Sequence, residues 1–241
     1  MRRFGRDSSA TEEGDLSLAT THTQARYVLP QVIRRFAKRY PGVRLTLLQG
    51  SPVQCRQMVI AGTADIAICS EVNNPSDEIL EIPCYQLTRA VITPVKHPLL
   101  SHPRPSLKLL SEYPIITYGE GYSARLIVDR TFADAGLKPK FVMHAIDADV
   151  SKTYVEMGMG IAILANVAFS ARKDSGLRRI RIDHLFATTL LSAVVRRNVF
   201  LPRYMLNLIT MFAPYLDRKA LEVAISEGSL KNVAPQPIPF L

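Results

Sequence analysis

The chain has 241 residues, 47% of them hydrophobic and 21% charged, with a mean hydropathy of +0.07. This is the composition of a soluble globular protein large enough for one big domain or two lobes, and no apolar run approaches the roughly 20 residues that span a bilayer. A formal charge of +9 and a pI near 9.6 raise nucleic acid as a partner, but the basic residues are dispersed and enter no groove-reading motif, so the chain alone is not expected to bind DNA.

The N-terminal run MRRFGRDSSATEEGDLS has basic residues with no apolar segment behind them. It is therefore neither a secretory signal nor a membrane anchor, which points to the cytoplasm and to no membrane partner. Residues 16–19 read as a short strand, and residues 30–40 as a helix with Pro30 in its first turn. The basic group Arg34, Arg35, Lys38 and Arg39 is the polar face of that helix, opposite Val32, Ile33 and Phe36. Residues 43–48 form the next strand, 51–61 a helix and 65–69 a third strand. This β-α-β-α-β order predicts a parallel sheet with right-handed crossovers.

The pattern then restarts. Residues 87–93 read as a strand, 94–105 as a Pro-rich loop, 106–113 as a short helix and 114–118 as a strand. A helix over 123–135, a strand over 141–145, a helix over 149–157 and a strand over 161–164 follow, with Gly158 and Gly160 marking a tight turn. Residues 190–196 and a helix over 202–214 then return to complete the first sheet. The fold class is α/β: two Rossmann-like lobes joined by crossover strands, with a cleft where open sheets place ligands, at the carboxyl ends of their strands. Lobe I is expected over 16–86 plus 190–230 and lobe II over 87–189.

Hydroxyl and amide side chains gather at these strand ends. Thr20, Thr21, Thr23 and Gln24 follow the first strand, Ser70 follows the third, and Thr117 and Ser123 bracket the end of a lobe II strand. Backbone N–H groups at a helix start are unpaired and carry about half a positive charge from the helix dipole, so such a position holds an oxyanion without metal or lysine. Ordinary capping by the same Thr and Ser residues explains the pattern equally well.

Catalytic and metal signals are absent from the spacing. Cys55, Cys69 and Cys84 form no CxxC pair, and His22, His97, His102, His144 and His184 share no metal-binding helix face. Asp147 and Asp149 stand just before a helix and read as N-caps. There is no GxSxG motif and no nucleophile with a base. No catalytic residue, metal or cofactor is expected.

The runs ATTHTQARYVLP (19–30), LQGSP (48–52), ADIAICSE (64–71), IPCY (82–85), YPIITY (113–118) and AIDADVSKTYVEMGMGIAIL (145–164) resemble the CysB/Cbl group of LysR-type transcriptional regulators. The resemblance covers nearly everything from Gly14 to Leu216. It implies a periplasmic-binding-protein-like effector domain that controls DNA binding within a homotetramer and senses sulfate or an acetylserine in the interlobe cleft, in the service of cysteine biosynthesis. Carried over motif by motif, the pocket falls on Thr21, Thr23 and Gln24, and on Ser70 and Ser123, where the family usually has Thr. Both departures keep the hydroxyl and lose the stiffer χ1 of Thr.

By the same resemblance, residues 1–15 are the tail of a linker helix. DNA would be reached only through an N-terminal helix-turn-helix that this chain does not carry. The proline-rich tail, 231–241, is expected to be disordered. Two other functions share the sequence features: a solute-binding protein for an oxyanion, and an enzyme acting on a small anionic substrate.

Overall fold

A computed structural model of the chain describes residues 13–70, 76–119, 122–213 and 215–229. Two five-stranded sheets with helices on their faces make the α/β, two-lobed architecture expected from the sequence. The first contains β1 (Gly14–Thr20), β2 (Val43–Gln49), β3 (Ile66–Ser70), β4 (Ile79–Leu87) and β10 (Thr189–Arg196), in the order β2-β1-β3-β10-β4. The second contains β5 (Arg89–Pro94), β6 (Pro114–Tyr118), β7 (Lys140–Ala145), β8 (Ile161–Ala165) and β9 (Leu177–Arg181), in the order β7-β6-β8-β5-β9. Three strands of each sheet are mutually parallel, as the βαβ pattern requires. The sheets are nevertheless mixed: β10 runs antiparallel to β3 and β4, and β5 antiparallel to β8 and β9. The antiparallel strands are the ones that cross between lobes or neighbour a crossing.

The chain leaves lobe I through Thr88, the single residue between β4 and β5, and returns between β9 and β10. In lobe I, α1 (Leu29–Arg39) buries Leu29, Val32 and Phe36, and leaves Arg34, Arg35, Lys38 and Arg39 in solvent. These apolar residues join Leu16, Leu18 and Phe212 in one core, each fully buried large side chain contributing about 1.5–3 kcal/mol. The helix α2 (Pro52–Ile60) opens on a capping box between Ser51 and Gln54. Lobe II carries α3 (Leu107–Ser111), α4 (Ser123–Asp134) and α5 (Ala148–Glu156). The chain ends in α6 (Arg203–Phe212) and α7 (Arg218–Glu227) on lobe I. Among the described residues no helix is long and apolar enough to cross a membrane.

Several boundaries differ from the sequence reading. Gly14 and Asp15 belong to β1, paired with Val43 and Arg44, so the linker tail does not extend to residue 15. Residues 1–12 and the tail 231–241 lie outside the described residues. Helical conformation begins at His22, eight residues before Pro30, and passes through a π-helical turn, Gln24–Val28, before α1. Pro30 has no N–H for the Arg26 carbonyl and its ring crowds that group; the wider π turn bonds Leu29 N–H to the Gln24 carbonyl instead. The sequence reading missed β4, β9 and α7. It also merged Leu87 into the following strand, although Leu87 ends β4 and β5 begins at Arg89. At the α5–β8 turn, a Cβ added to Gly160 would stand 2.4 Å from the Pro114 carbonyl oxygen, so the close approach of two lobe II segments demands glycine there.

Candidate functional site

A cavity of about 50 Å³ lies between the lobes, enough for a small anion or a few waters. Lobe I contributes Thr21, His22, Thr23, Gln24, Pro52 and Ser70; lobe II contributes Tyr118, Tyr122, Ser123, Ala124, Ile146, Asp147 and Ala165. Its remaining wall is the pair of crossover segments, through Leu87, Thr88, Arg89 and Thr189.

Helix starts aim at this space. Residues from the first turns of α2 (Pro52) and α4 (Ser123, Ala124) line it, as do Asp147 before α5 and residues 21–24 at the first helix. The α2 and α5 starts are internally satisfied: Ser51 caps α2, and Asp147 accepts from Asp149 N–H and Val150 N–H. Tyr122 makes no side-chain cap on α4, and in lobe I the helical run that begins at His22 lines the cavity with its first-turn residues His22, Thr23 and Gln24. These two helix starts, one from each lobe, therefore keep N–H groups and positive dipole ends for something else.

Three groups of contacts close the lobes over the cavity. Ser70 Oγ and Ser123 Oγ are 2.8 Å apart. The Thr23 hydroxyl hydrogen-bonds the Tyr118 phenol, and burial pushes that phenol up to about 12. His22 stands between two carboxylates of lobe II, with Nδ1 3.4 Å from Asp147 Oδ2 and Nε2 3.1 Å from Asp149 Oδ2. Asp149 also takes Arg26 Nε at 2.7 Å and accepts from the Tyr27 hydroxyl at 2.5 Å. Lys152 donates to Tyr27 at 2.8 Å and to Asp174 at 2.9 Å. Burial alone would raise the Asp149 carboxyl, but the Tyr27 hydroxyl, Lys152 and Arg26 outweigh it and hold the group below the ordinary carboxylate range.

Of the sequence-derived candidates, Thr21, Thr23, Gln24, Ser70 and Ser123 come together on the cavity wall. Thr20 and Thr117 do not line it. The Thr20 hydroxyl donates to the Ile68 carbonyl at 2.7 Å, stitching β1 to β3, and Thr117 is fully buried within β6 with no partner for its hydroxyl. Alternation along a strand explains both, since a strand-end residue faces the cavity or the core according to parity. Gln24 is 5% exposed, and its Oε1 is buried without a hydrogen-bond partner.

The reading of Asp147 and Asp149 as caps holds for Asp147 alone; Asp149 is an interlobe ion-pair partner. The His22, Asp147 and Asp149 ligand atoms lie within 4.8 Å of one another. Because the two imidazole nitrogens face different carboxylates and Asp149 already holds Arg26 and Tyr27, the geometry is that of an ion-pair cluster.

Sequence reasoning missed Arg89, Thr88, Thr189, Tyr118 and Tyr122. Arg89 had one visible signal, a lone cation opening the apolar strand RAVITP. It is 4% exposed, and burial lowers its guanidinium to about 10.

The sequence-family model described as "LysR substrate binding domain" matches residues 9–217. The transcriptional regulator CysB of Burkholderia cenocepacia is 42% identical over 225 residues, which is 93% of this chain and 72% of that protein. The regulator SsuR of the same organism is also 42% identical, over 95% of this chain and 74% of its own length. Among solved structures, the cofactor-binding domain of the Cbl transcriptional regulator superposes with a TM-score of 0.85 at 32% identity, covering 92% of this chain and 99% of that one.

Proposed function

The chain belongs to the LysR substrate-binding domain family, and from that premise we propose that it senses a small anion, sulfate or an acetylserine, in the interlobe cleft on behalf of a regulator of sulfur assimilation and cysteine biosynthesis. Its relatives are LysR-type transcriptional regulators related to CysB, SsuR and Cbl. The chain would act in the cytoplasm as part of a homo-oligomer, a tetramer by family resemblance, with DNA contacted through a separate helix-turn-helix.

One observation carries the ligand reading. Hydroxyls from both lobes, Ser70 and Ser123 at 2.8 Å, meet where the helix starts at His22 and Ser123 leave first-turn N–H donors for an acceptor. An anion there gathers donors from both lobes, so it binds the closed arrangement more tightly than an open one. That differential affinity is what shifts a regulator, about 1.4 kcal/mol for each factor of ten. Gln24 Oε1 adds a chemical detail. A buried amide oxygen without a donor favours a ligand bearing an N–H or O–H, as an acetylserine does, over bare sulfate.

Isothermal calorimetry of the chain with sulfate, O-acetylserine and N-acetylserine tests the reading. Single-site binding of one of them, with the ligand recovered unchanged by mass spectrometry, supports it. No binding of any of the three overturns it, and conversion of the ligand to product would make the protein an enzyme.

A further inference from the structure

Arg89 is the feature of the cavity that effector binding by hydroxyls and helix starts leaves unexplained. It opens β5, the strand that enters lobe II, and its side chain reaches back to the returning crossover. Nη1 donates to the Ala187 carbonyl at 2.5 Å and Nη2 to the Thr189 hydroxyl at 2.6 Å. Both partners are neutral, and they satisfy two of the five guanidinium N–H groups. Among the described residues no carboxylate lies within ion-pair distance of it. The buried cations elsewhere in the fold contrast with this: Lys152 holds Asp174, and Arg56 holds Glu81. Burying a cation without an opposite charge is unfavourable, and the lowered pKa of Arg89 records that penalty.

Resting on the reading of the cleft as an anion site, we propose that Arg89 is the charge-selecting residue of the pocket: its unneutralised guanidinium is what makes the cavity prefer an anion to a neutral molecule of the same shape. The hydroxyls and helix N–H groups donate to an ester, amide or carboxylate oxygen with similar geometry, so they discriminate poorly by net charge. A buried guanidinium beside the same space discriminates strongly, because a charge-assisted hydrogen bond is about twice as strong as a neutral one. Its position has a second consequence. Arg89 ties the outgoing crossover, through its own backbone, to the returning crossover at Ala187 and Thr189. An anion held by its remaining N–H groups is therefore held at the hinge of the two lobes, where a change of charge acts on both connecting segments together.

The test compares N-acetylserine with its uncharged carboxamide, N-acetylserinamide, by calorimetry on the wild-type chain and on R89K, R89M and S123A. The wild type is expected to bind the acid more tightly than the amide by roughly 10- to 100-fold, the ratio that one charged hydrogen-bonding interaction supplies. R89M is expected to bring that ratio close to one, R89K to keep most of it, and S123A to weaken both probes in parallel. A purely structural role for Arg89 would lower both affinities and leave the ratio unchanged, which overturns the proposal. If R89M melts below the assay temperature, R89K decides: a folded R89K that has lost the ratio entirely overturns charge selection, and one that retains it supports it. A wild type that binds the amide as well as the acid overturns the role of Arg89 while leaving the effector site standing. A wild type that binds neither overturns the effector reading and this proposal with it.

Discussion

Ser70 Oγ and Ser123 Oγ meet at 2.8 Å across the cleft, although 53 residues separate them in sequence. Ser70 is the last residue of β3 and Ser123 the first of α4, so each lobe offers its hydroxyl from a rigid element. A neutral hydrogen bond of this kind contributes about 0.5–1.5 kcal/mol net, which makes the pair a weak latch. Weakness suits a sensor, since a ligand that replaces the contact with stronger ones meets little resistance. S70A and S123A are each expected to weaken effector binding by about 1 kcal/mol. The double variant should lose more than the sum, because either single change already removes the Ser70–Ser123 contact that the ligand must otherwise replace, and that contact can be lost only once. Calorimetric additivity would show that the hydroxyls act separately.

Thr20 and Thr21 are neighbours with different tasks. The Thr20 hydroxyl bonds Ile68 within the sheet, while Thr21 lines the cavity. T20V is expected to reduce thermal stability by about 1–3 kcal/mol, by leaving the Ile68 carbonyl short of a partner, with effector affinity unchanged. T21V should do the reverse, weakening binding by a similar amount at an unaltered melting temperature. Measuring both quantities on both variants separates a capping role from a ligand role, the ambiguity that the THTQ run carried as sequence.

What could be read from sequence was what is local. The βαβ rhythm, the glycine turn at 158–160 and the apolar face of Val32 and Phe36 each follow from spacing, and the strand-end hydroxyls Thr21, Thr23, Ser70 and Ser123 were visible for the same reason. Thr20 and Thr117 lie off the cavity wall, because spacing alone leaves strand parity uncertain by one residue. The interlobe groups were illegible for a different reason. His22 meets Asp149 from 127 positions away, and Arg89 meets Thr189 from 100, and no periodicity encodes such a pairing. The π turn before Pro30 was hidden because proline was read as a helix start when the helix had already begun.

Cys55, Cys69 and Cys84 are all buried, and burial pushes the Cys55 thiol up to about 12 and the other two higher still. The thiolate is the reactive species, so none should react with a disulfide reagent at pH 8 in the native chain. Three thiols per chain should titrate rapidly in denaturant. A fast native phase at any of them would mean that its part of the sheet opens readily, since reaction requires exposure as well as ionisation.

The Gly160 turn ties packing to stability. A methyl group there meets the Pro114 carbonyl oxygen at 2.4 Å, and backbone cannot swing aside as a flexible side chain would. G160A is expected to destabilise the chain by about 1–3 kcal/mol, the usual range for overpacking, with the midpoint of urea unfolding as the measure. G136A makes the comparison sharp, because Gly136 also has a positive φ, +67°, but open space around its Cβ position. It should be milder, losing only the left-handed backbone preference, about 1 kcal/mol.

The cluster around Asp149 gives closure a pH dependence whose sign is fixed by its neighbours. Because the Tyr27 hydroxyl, Lys152 and Arg26 together hold the carboxyl below its ordinary range in the closed protein, its contribution is fully present above the pKa of a free aspartate, about 3.9. That contribution is lost as pH falls through the lowered value. His22 sits on the same carboxylate and on Asp147, so protonating Asp149 releases lobe I contacts from His22, Arg26 and Tyr27 at once. Small-angle scattering is expected to report a radius of gyration that is unchanged at about pH 4 and larger only well below the free-aspartate pKa of about 3.9, and D149N should show that expansion already at pH 7. The same variant should lose about 1.5–3 kcal/mol of stability, the range for hydrogen bonds to a charged group. A radius that is independent of pH in the wild type and unchanged in D149N would mean that the hydroxyl contacts and the crossover segments hold the lobes without this cluster.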